Sequence, residues 1–364
     1  MSIHEAVFSF IHSPQPEQFD SLSIDVFRHQ YVSVPPYRKH CELLGVSPER
    51  VSSAQEIPMV STVAFKYADL HAPGAAEAST ALTFLTSGTT RGRERRGRHV
   101  VARPDIYRAS AIAHLRTMMF PDGVRMRMLA IHPTADRMPE SSLSTMISWC
   151  IDEFGHGPTL CVADRGGLDA SAALDFLRTA AADRTPVCIL GTTAAYAAIF
   201  ERLAANDETI ALPRGSRMMD TGGAKGQIVP LTPSEVLERA AAWLGIDPDF
   251  VINEYGMTEL CSQLYDATRL NSGTRAPTGD RVKVAPPWMR PAAIDPVTMR
   301  RLPDGTRGLL GFIDLANVSS VSAILTEDFG IVEGSRVRTL GRAMAGGPRG
   351  CALSIAQFEQ VARA

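Results

Sequence analysis

Leu82-Thr83-Phe84-Leu85 is a short β-prone run that opens into Thr86-Ser87-Gly88-Thr89-Thr90-Arg91-Gly92, a stretch dense in hydroxyls and glycine. Glycine lets a backbone approach its ligand closely, and inward-turned N–H and hydroxyl groups form a cradle for phosphate oxygens. Neither Gly-x-x-x-x-Gly-Lys-Ser/Thr nor Gly-x-Gly-x-x-Gly can be laid on the loop, so phosphate binding of another kind is the chemistry to expect. Arg91, Arg93, Arg95, Arg96 and Arg98 follow, enough positive charge to hold a pyrophosphate or triphosphate by charge-assisted hydrogen bonds. Taken alone, the same run also reads as a solvated arginine-rich turn.

Residues further along decide between these readings. Thr86-Ser87-Gly88-Thr89-Thr90 resembles the phosphate loop of the adenylate-forming (AMP-binding) enzymes, and Asn253-Glu254-Tyr255-Gly256-Met257-Thr258-Glu259 resembles their Tyr-Gly-x-Thr-Glu motif. More narrowly, the chain is similar to the acyl-protein synthetase branch, which includes the fatty-acid activator of bacterial bioluminescence and phenazine-pathway activators. The stretches that carry this are 220–226, 254–266, Asp314-Leu315-Ala316-Asn317, 326–330, Gly341-Arg342-Ala343 and Arg349-Gly350-Cys351. The similarity covers most of the chain from about residue 30.

The resemblance implies a role for each matching position. Thr86, Ser87, Gly88, Thr89 and Thr90 would hold the β and γ phosphates of ATP. Adenine would lie against Gly222, Gly223 and Tyr255-Gly256, and Thr258 and Glu259 would serve the α-phosphate and Mg²⁺, with Glu259 as the metal ligand. Asp328 would grip the ribose hydroxyls, with Arg342 beside ribose or phosphate. The physics agrees: attack of a carboxylate on the α-phosphate needs two anions held in line and charge neutralised on departing pyrophosphate, and hydroxyls, Mg²⁺ and an arginine supply that. Two departures stand out. Arg91-Gly92-Arg93-Glu94 replaces the usual Gly-x-Pro-Lys-Gly, and the chain ends at Ala364, so the mobile C-terminal lid of the larger members is expected to be absent, as it is in the acyl-protein synthetase branch.

An acyl adenylate is normally discharged onto a thiol. The resemblance points to Cys351 as a self-acylated cysteine; Cys261, just past Glu259, is a second candidate for catalysis. Burial as small hydrophobes is the competing reading for both, and Cys41, Cys150, Cys161 and Cys188 read as core. His132, Gly191, Thr192 and Tyr196 are candidates for the acyl pocket, with turn and packing roles as the alternative.

The elements that must position these residues follow from hydrophobic periodicity. Short apolar runs at 81–85, 126–131, 159–162, 187–190, 217–220 and 250–253 alternate with helical patterns at 104–119, 141–154, 168–182, 193–205 and 233–244, the signature of a parallel sheet with crossover helices. The segment before residue 80 reads as a helical lead-in. After 265 the pattern changes to β segments, notably 308–315, 321–326 and 336–340. The expected class is therefore α/β, the large-domain fold of the adenylate-forming enzymes, mostly parallel sheets with flanking helices and a smaller β-rich C-terminal subdomain. One domain is expected to span 1–364, as lead-in 1–80, core 81–265 and subdomain 266–364.

Composition narrows the rest. With 364 residues, 45% hydrophobic, 21% charged and a net charge of −2, the chain is an ordinary globular protein and not a dedicated nucleic-acid binder. No signal-peptide pattern or membrane-length apolar run is present, which predicts a cytoplasmic protein without membrane contact. Six dispersed cysteines without C-x-x-C spacing argue against a disulfide framework or a structural zinc site. The leading function is ATP-dependent activation of an aryl or fatty acid as acyl-AMP, with transfer to CoA, an acyl carrier protein or the enzyme's own cysteine, in specialised metabolism. The alternative of the same fold is an acyltransferase that moves an acyl group from CoA to a carrier protein without ATP. A third reading is a non-catalytic nucleotide- or carrier-protein-binding protein. Expected partners are the small acid, the thiol acceptor and a second copy of the chain in a homodimer.

Overall fold

The computed structural model describes residues 1–86, 96–222, 231–268 and 281–342. They fall into two compact units: one from Met1–Ala113, Met257–Gln263 and the residues after Val284, the other from His114–Gly256 and Leu264–Lys283.

The lead-in is helical as expected, with α1 (Ile3–His12), α2 (Phe19–Ser33) and α3 (Pro35–Leu43). Ser2 and Glu5 form a capping box at α1, and Pro35 starts α3 where a helix has no use for its N–H. A short strand β1 (Val60–Ser61) follows. Next come β2 (Leu82–Leu85) and β3 (Arg98–Val101), paired antiparallel with Leu85 opposite Arg98. This corrects the expectation that the run at 81–85 joins the parallel sheet. Parallel pairing needs a long crossover, usually a helix, and the chain between these strands carries no helical pattern. The partner His99-Val100-Val101 was hidden behind the arginine run. α4 (Pro104–Met119) then carries the chain into the second unit.

That unit contains β4 (Met126–Ala130), α5 (Ser142–Phe154), β5 (Gly155–Cys161), the hairpin β6 (Ala163–Asp164) and β7 (Gly167–Leu168), and α6 (Ala170–Ala182). They are followed by β8 (Val187–Thr192), α7 (Thr193–Ala205), β9 (Arg217–Thr221), α8 (Pro233–Leu244), β10 (Val251–Tyr255) and β11 (Leu264–Asp266). The strand order is β11-β10-β9-β8-β4-β5, parallel except for β10 with β11. Leu129, Ile189 and Met218 from the strands meet Leu177, Phe200 and Leu237 from the helices in one buried core, each contributing about 1.5–3 kcal/mol by leaving water. α8 covers the range expected, 233–244: Thr232 caps it in a capping box with Glu235, Pro233 opens it, and Gly245 closes it with φ 65°. The connection from β4 runs to β5 on one side and that from its neighbour β8 runs to β9 on the other, which makes the carboxyl ends of β4 and β8 a topological switch point.

The chain finishes in the first unit. After β12 (Lys283–Val284) come β13 (Met289–Ile294), β14 (Arg307–Asp314), β15 (Ala323–Glu333) and β16 (Arg336–Arg342). The last four pair antiparallel in that order, with β1 parallel to β15 through Val60 opposite Ile324. β13 was not foreseen from the sequence because Pro291 breaks its pattern, and it lies at the end of the antiparallel order, where a missing N–H is tolerated. Gln30 of α2 fastens the lead-in to the turn after β14. Its amide donates to the carbonyls of Asn317 (3.0 Å) and Val318 (3.2 Å), and its oxygen accepts from the N–H (3.1 Å) and hydroxyl (3.0 Å) of Ser322. Among the described residues no helix is long and apolar enough to cross a membrane.

Candidate active site

In the second unit, candidate residues gather where parallel strands end. Register places Gly191, Asp220 and Asn253 side by side across β8, β9 and β10, with Thr192, Thr221 and Glu254 next. His132 leaves β4 beside β8, since Ile131 N–H bonds to Leu190 O at 2.9 Å. Gly191 has no room for a side chain, because a Cβ there would lie 2.3 Å from Ile131 Cγ1. Gly222 is the opposite case: it is exposed and a Cβ would meet only Asn253 Nδ2, at 3.9 Å. The half-buried Tyr255 ends the neighbouring strand, one residue past the Thr221–Glu254 pair.

Beneath these ends lies a polar layer that the sequence reading did not single out. Asp220 accepts from Thr193 Oγ1 (2.8 Å) and Asn253 Nδ2 (2.9 Å), and burial raises its carboxyl. Glu254 is buried, accepts a very short bond from the Thr221 hydroxyl, and is pushed up by burial to about 7. Asp266 accepts from Lys283 Nζ at 2.9 Å and from Arg281. Their signal was available in the motif stretches, but spacing alone assigns them no partners.

The proposed pocket residues separate into two groups. His132 and Thr192 lie at the switch point; the ring of His132 contacts Ser144 Oγ at 3.3 Å, and burial lowers it to about 4. Thr192 caps α7 by accepting from Ala195 N–H. Tyr196 instead is 1% exposed, with its hydroxyl 2.9 Å from both Ile189 O and Met219 O. That geometry makes it a strut between β8 and β9 within the core.

In the first unit, Met257–Gln263 carries Thr258, Glu259 and Cys261 through a buried polar network. Asp314 accepts from Cys261 N–H (2.8 Å), Ser262 Oγ (2.6 Å) and Ala316 N–H (3.1 Å), and burial raises it to about 6. Trp288 Nε1 donates to Ser110 Oγ at 2.8 Å, and Ser110 in turn bonds Ser262 Oγ at 2.9 Å. Asn317 Nδ2 donates to Glu259 O at 2.9 Å, and the ring of His99 lies 2.7 Å from Thr258 O. Three separate segments, at His99, at Ser110 and at Asp314–Asn317, thus hold one short loop, and Trp288 steadies it through Ser110. Glu259 is 8% exposed, and among the described residues no group of three His, Cys, Asp or Glu could hold an ion. That donor set fits Mg²⁺, which takes one or two carboxylates and completes its shell with phosphate and water.

Asp328 and Arg342 are directly opposite each other in the β15–β16 ladder. Asp328 is half-buried; Arg342 is exposed and pairs with Glu327 at 3.2 Å. At the neck of the hairpin, Thr86 Oγ1 accepts from Gly97 N–H (2.8 Å) and Arg96 Nε donates to Thr86 O (2.7 Å), so the Thr86 hydroxyl closes the neck. Ser87, Gly88, Thr89, Thr90, Gly223 and Cys351 lie outside the described residues.

The cysteines divide differently from expectation. Cys41, Cys150 and Cys188 are buried, as read. Cys261 is buried too, and burial with the nearby Asp314 charge raises its thiol well above the ordinary value, the wrong direction for a nucleophile. Cys161, read as core, is half-buried and lines an open groove of about 460 Å³ with Arg137, Asp164 and Leu168.

Comparison with known proteins gives the family and the fold. The family model described as "Acyl-protein synthetase, LuxE" matches residues 5–359. The long-chain-fatty-acid–luciferin-component ligase of Vibrio harveyi is 24% identical over 342 residues, covering 91% of this chain and 85% of that protein. The ligase of the same name from Aliivibrio fischeri is 25% identical over 361 residues, covering 95% and 90%. Among solved structures, 2-hydroxyisobutyryl-CoA ligase in complex with 2-HIB-AMP and CoA superposes with a TM-score of 0.65 at 18% identity, over 91% of this chain and 69% of that one. The protein is an enzyme with the fold of the adenylate-forming ligases, and it belongs to the acyl-protein synthetase LuxE family.

Proposed function

We propose that the enzyme joins a carboxylic acid to ATP and passes the acyl group to a thiol. A carboxylate oxygen attacks the α-phosphorus, the bond to the bridging oxygen breaks, and pyrophosphate leaves. A thiolate then attacks the acyl carbon, the bond to AMP breaks, and the thiol proton goes to solvent. The observation that carries this reading is the Thr258-Glu259 loop, braced from three segments in a chain of the acyl-protein synthetase family.

By the roles the family resemblance implies, Gly222 and Tyr255 would receive adenine, and Asp328 would accept from the ribose hydroxyls. Arg342 would exchange its exposed bond to Glu327 for phosphate, a small loss for a pair in water. Glu259 would hold Mg²⁺, which supplies neutralisation of phosphate charge. His132, Gly191 and Thr192 stand at the switch point for the acid. The acid is aryl or fatty; the names of the Vibrio and Aliivibrio relatives favour a fatty chain. The acceptor is CoA, a carrier protein or Cys351; the burial of Cys261 argues against that thiol.

ATP labelled at the α-phosphate, with Mg²⁺ and a panel of fatty and aryl acids, tests the reading. Acid-dependent labelled acyl-AMP is expected. Absence of that product for every acid, together with ATP-free transfer from an acyl-CoA to a carrier protein, would replace it with the acyltransferase.

A further inference from the structure

His99 lies in β3, 1% exposed, with the edge of Phe65 packed against its ring at 5.6 Å between centroids. Nδ1 is 2.7 Å from Thr258 O and Nε2 is 2.9 Å from Asn317 Oδ1. Both partners are acceptors. Asn317 cannot turn its amide over, because Nδ2 already donates to Glu259 O (2.9 Å) and Val321 O (2.8 Å), and a flip would set oxygen against oxygen. Burial lowers the ring to about 4, so near neutral pH it has one N–H for two acceptors. Asn317 Oδ1 has another donor, the Cys261 thiol at 3.6 Å. The shorter contact, to Thr258, is therefore the one the imidazole must fill.

We infer that His99 is a positioning residue: protonated at Nδ1, it holds the Thr258 carbonyl while Asn317 holds the next one, Glu259, and together they fix the direction in which the Glu259 carboxylate leaves the chain. The inference rests on the proposed role of Glu259 for its catalytic meaning, though not for its structural content. The ring contacts the loop's backbone and acts on the reaction only through it. A loop displaced by a fraction of an ångström would still bind substrate but would move the Glu259 carboxylate away from where Mg²⁺ must neutralise the phosphate.

Two near-isosteres separate the ring's nitrogens. His99→Asn places an amide N–H near Nδ1, and His99→Gln places one near Nε2. Acid-dependent pyrophosphate exchange and hydrogen–deuterium exchange of the peptide spanning 257–263 are measured on both. His99→Gln is expected to lower kcat about tenfold or more with KM for the acid within about twofold, and to speed amide exchange in 257–263. His99→Asn is expected to bring both back to within about threefold of wild type. Equal kcat in the two variants, or amide exchange that does not distinguish them, overturns the inference. If neither variant folds, ¹⁵N spectra of histidine-labelled wild type decide: a proton on Nδ1 of His99 supports it and an Nδ1 without one overturns it. If wild type exchanges pyrophosphate with no acid while amide exchange follows the stated order, the acid-activation reading fails and the brace stands.

Discussion

Glu254 sits within the Tyr-Gly-x-Thr-Glu stretch, yet its consequence is set by what surrounds it. Burial pushes its carboxyl from an ordinary 4.5 to about 7, against the Thr221 hydroxyl bond and the Lys283 charge, with Asp220 adding to the rise. Folding therefore takes up a proton between those values, and this group's contribution to stability falls as pH rises from about 4.5 to about 7. Glu254→Gln removes that slope. Chemical denaturation is expected to show the variant gaining on wild type through the window, by about 3 kcal/mol at pH 8; parallel pH profiles would contradict it. Cysteine reactivity provides a second check. Cys161 should alkylate in the native protein well before Cys261, read by mass spectrometry of tryptic peptides, and comparable rates would overturn the burial argument. Asp328 and Arg342 were named from the motif alone, because the strand runs read at 321–326 and 336–340 stop just short of them, while β15 and β16 include both. His99 was not legible: its partners are 159 and 218 residues away, and no local spacing announces such a contact.

At the level of elements, the parallel strands of the second unit were legible because both faces are covered, so they read as continuous apolar runs. The hairpin of β2 and β3 was misread for the complementary reason, since a four-residue strand has too little pattern to reveal its partner. The end of β8 shows how an element shapes the site. Gly191 lets Ile131 press against the strand one residue before Thr192 caps α7. Gly191→Ala is expected to cost about 1–3 kcal/mol by overpacking, measured by urea denaturation, and to raise KM for the acid as His132 and Thr192 shift. An unchanged KM would separate the switch point from the acid site.

For the whole molecule, class and family were readable from two well-separated motifs in order, together with the alternation of strands and helices. Which segments pack together was not. The helical lead-in shares a unit with the C-terminal strands and the Thr258-Glu259 loop, an arrangement made by contacts such as Gln30 with Ser322, almost a chain length apart. Carboxylate-dependent exchange of labelled pyrophosphate into ATP, with Glu259→Ala as the paired variant, decides whether this family member makes an acyl adenylate. Exchange is expected with at least one fatty or aryl acid, reduced about a hundredfold or more in Glu259→Ala. Exchange that survives undiminished in Glu259→Ala, or none with any acid from a preparation that moves an acyl group from CoA to a carrier protein, would overturn the proposed adenylation.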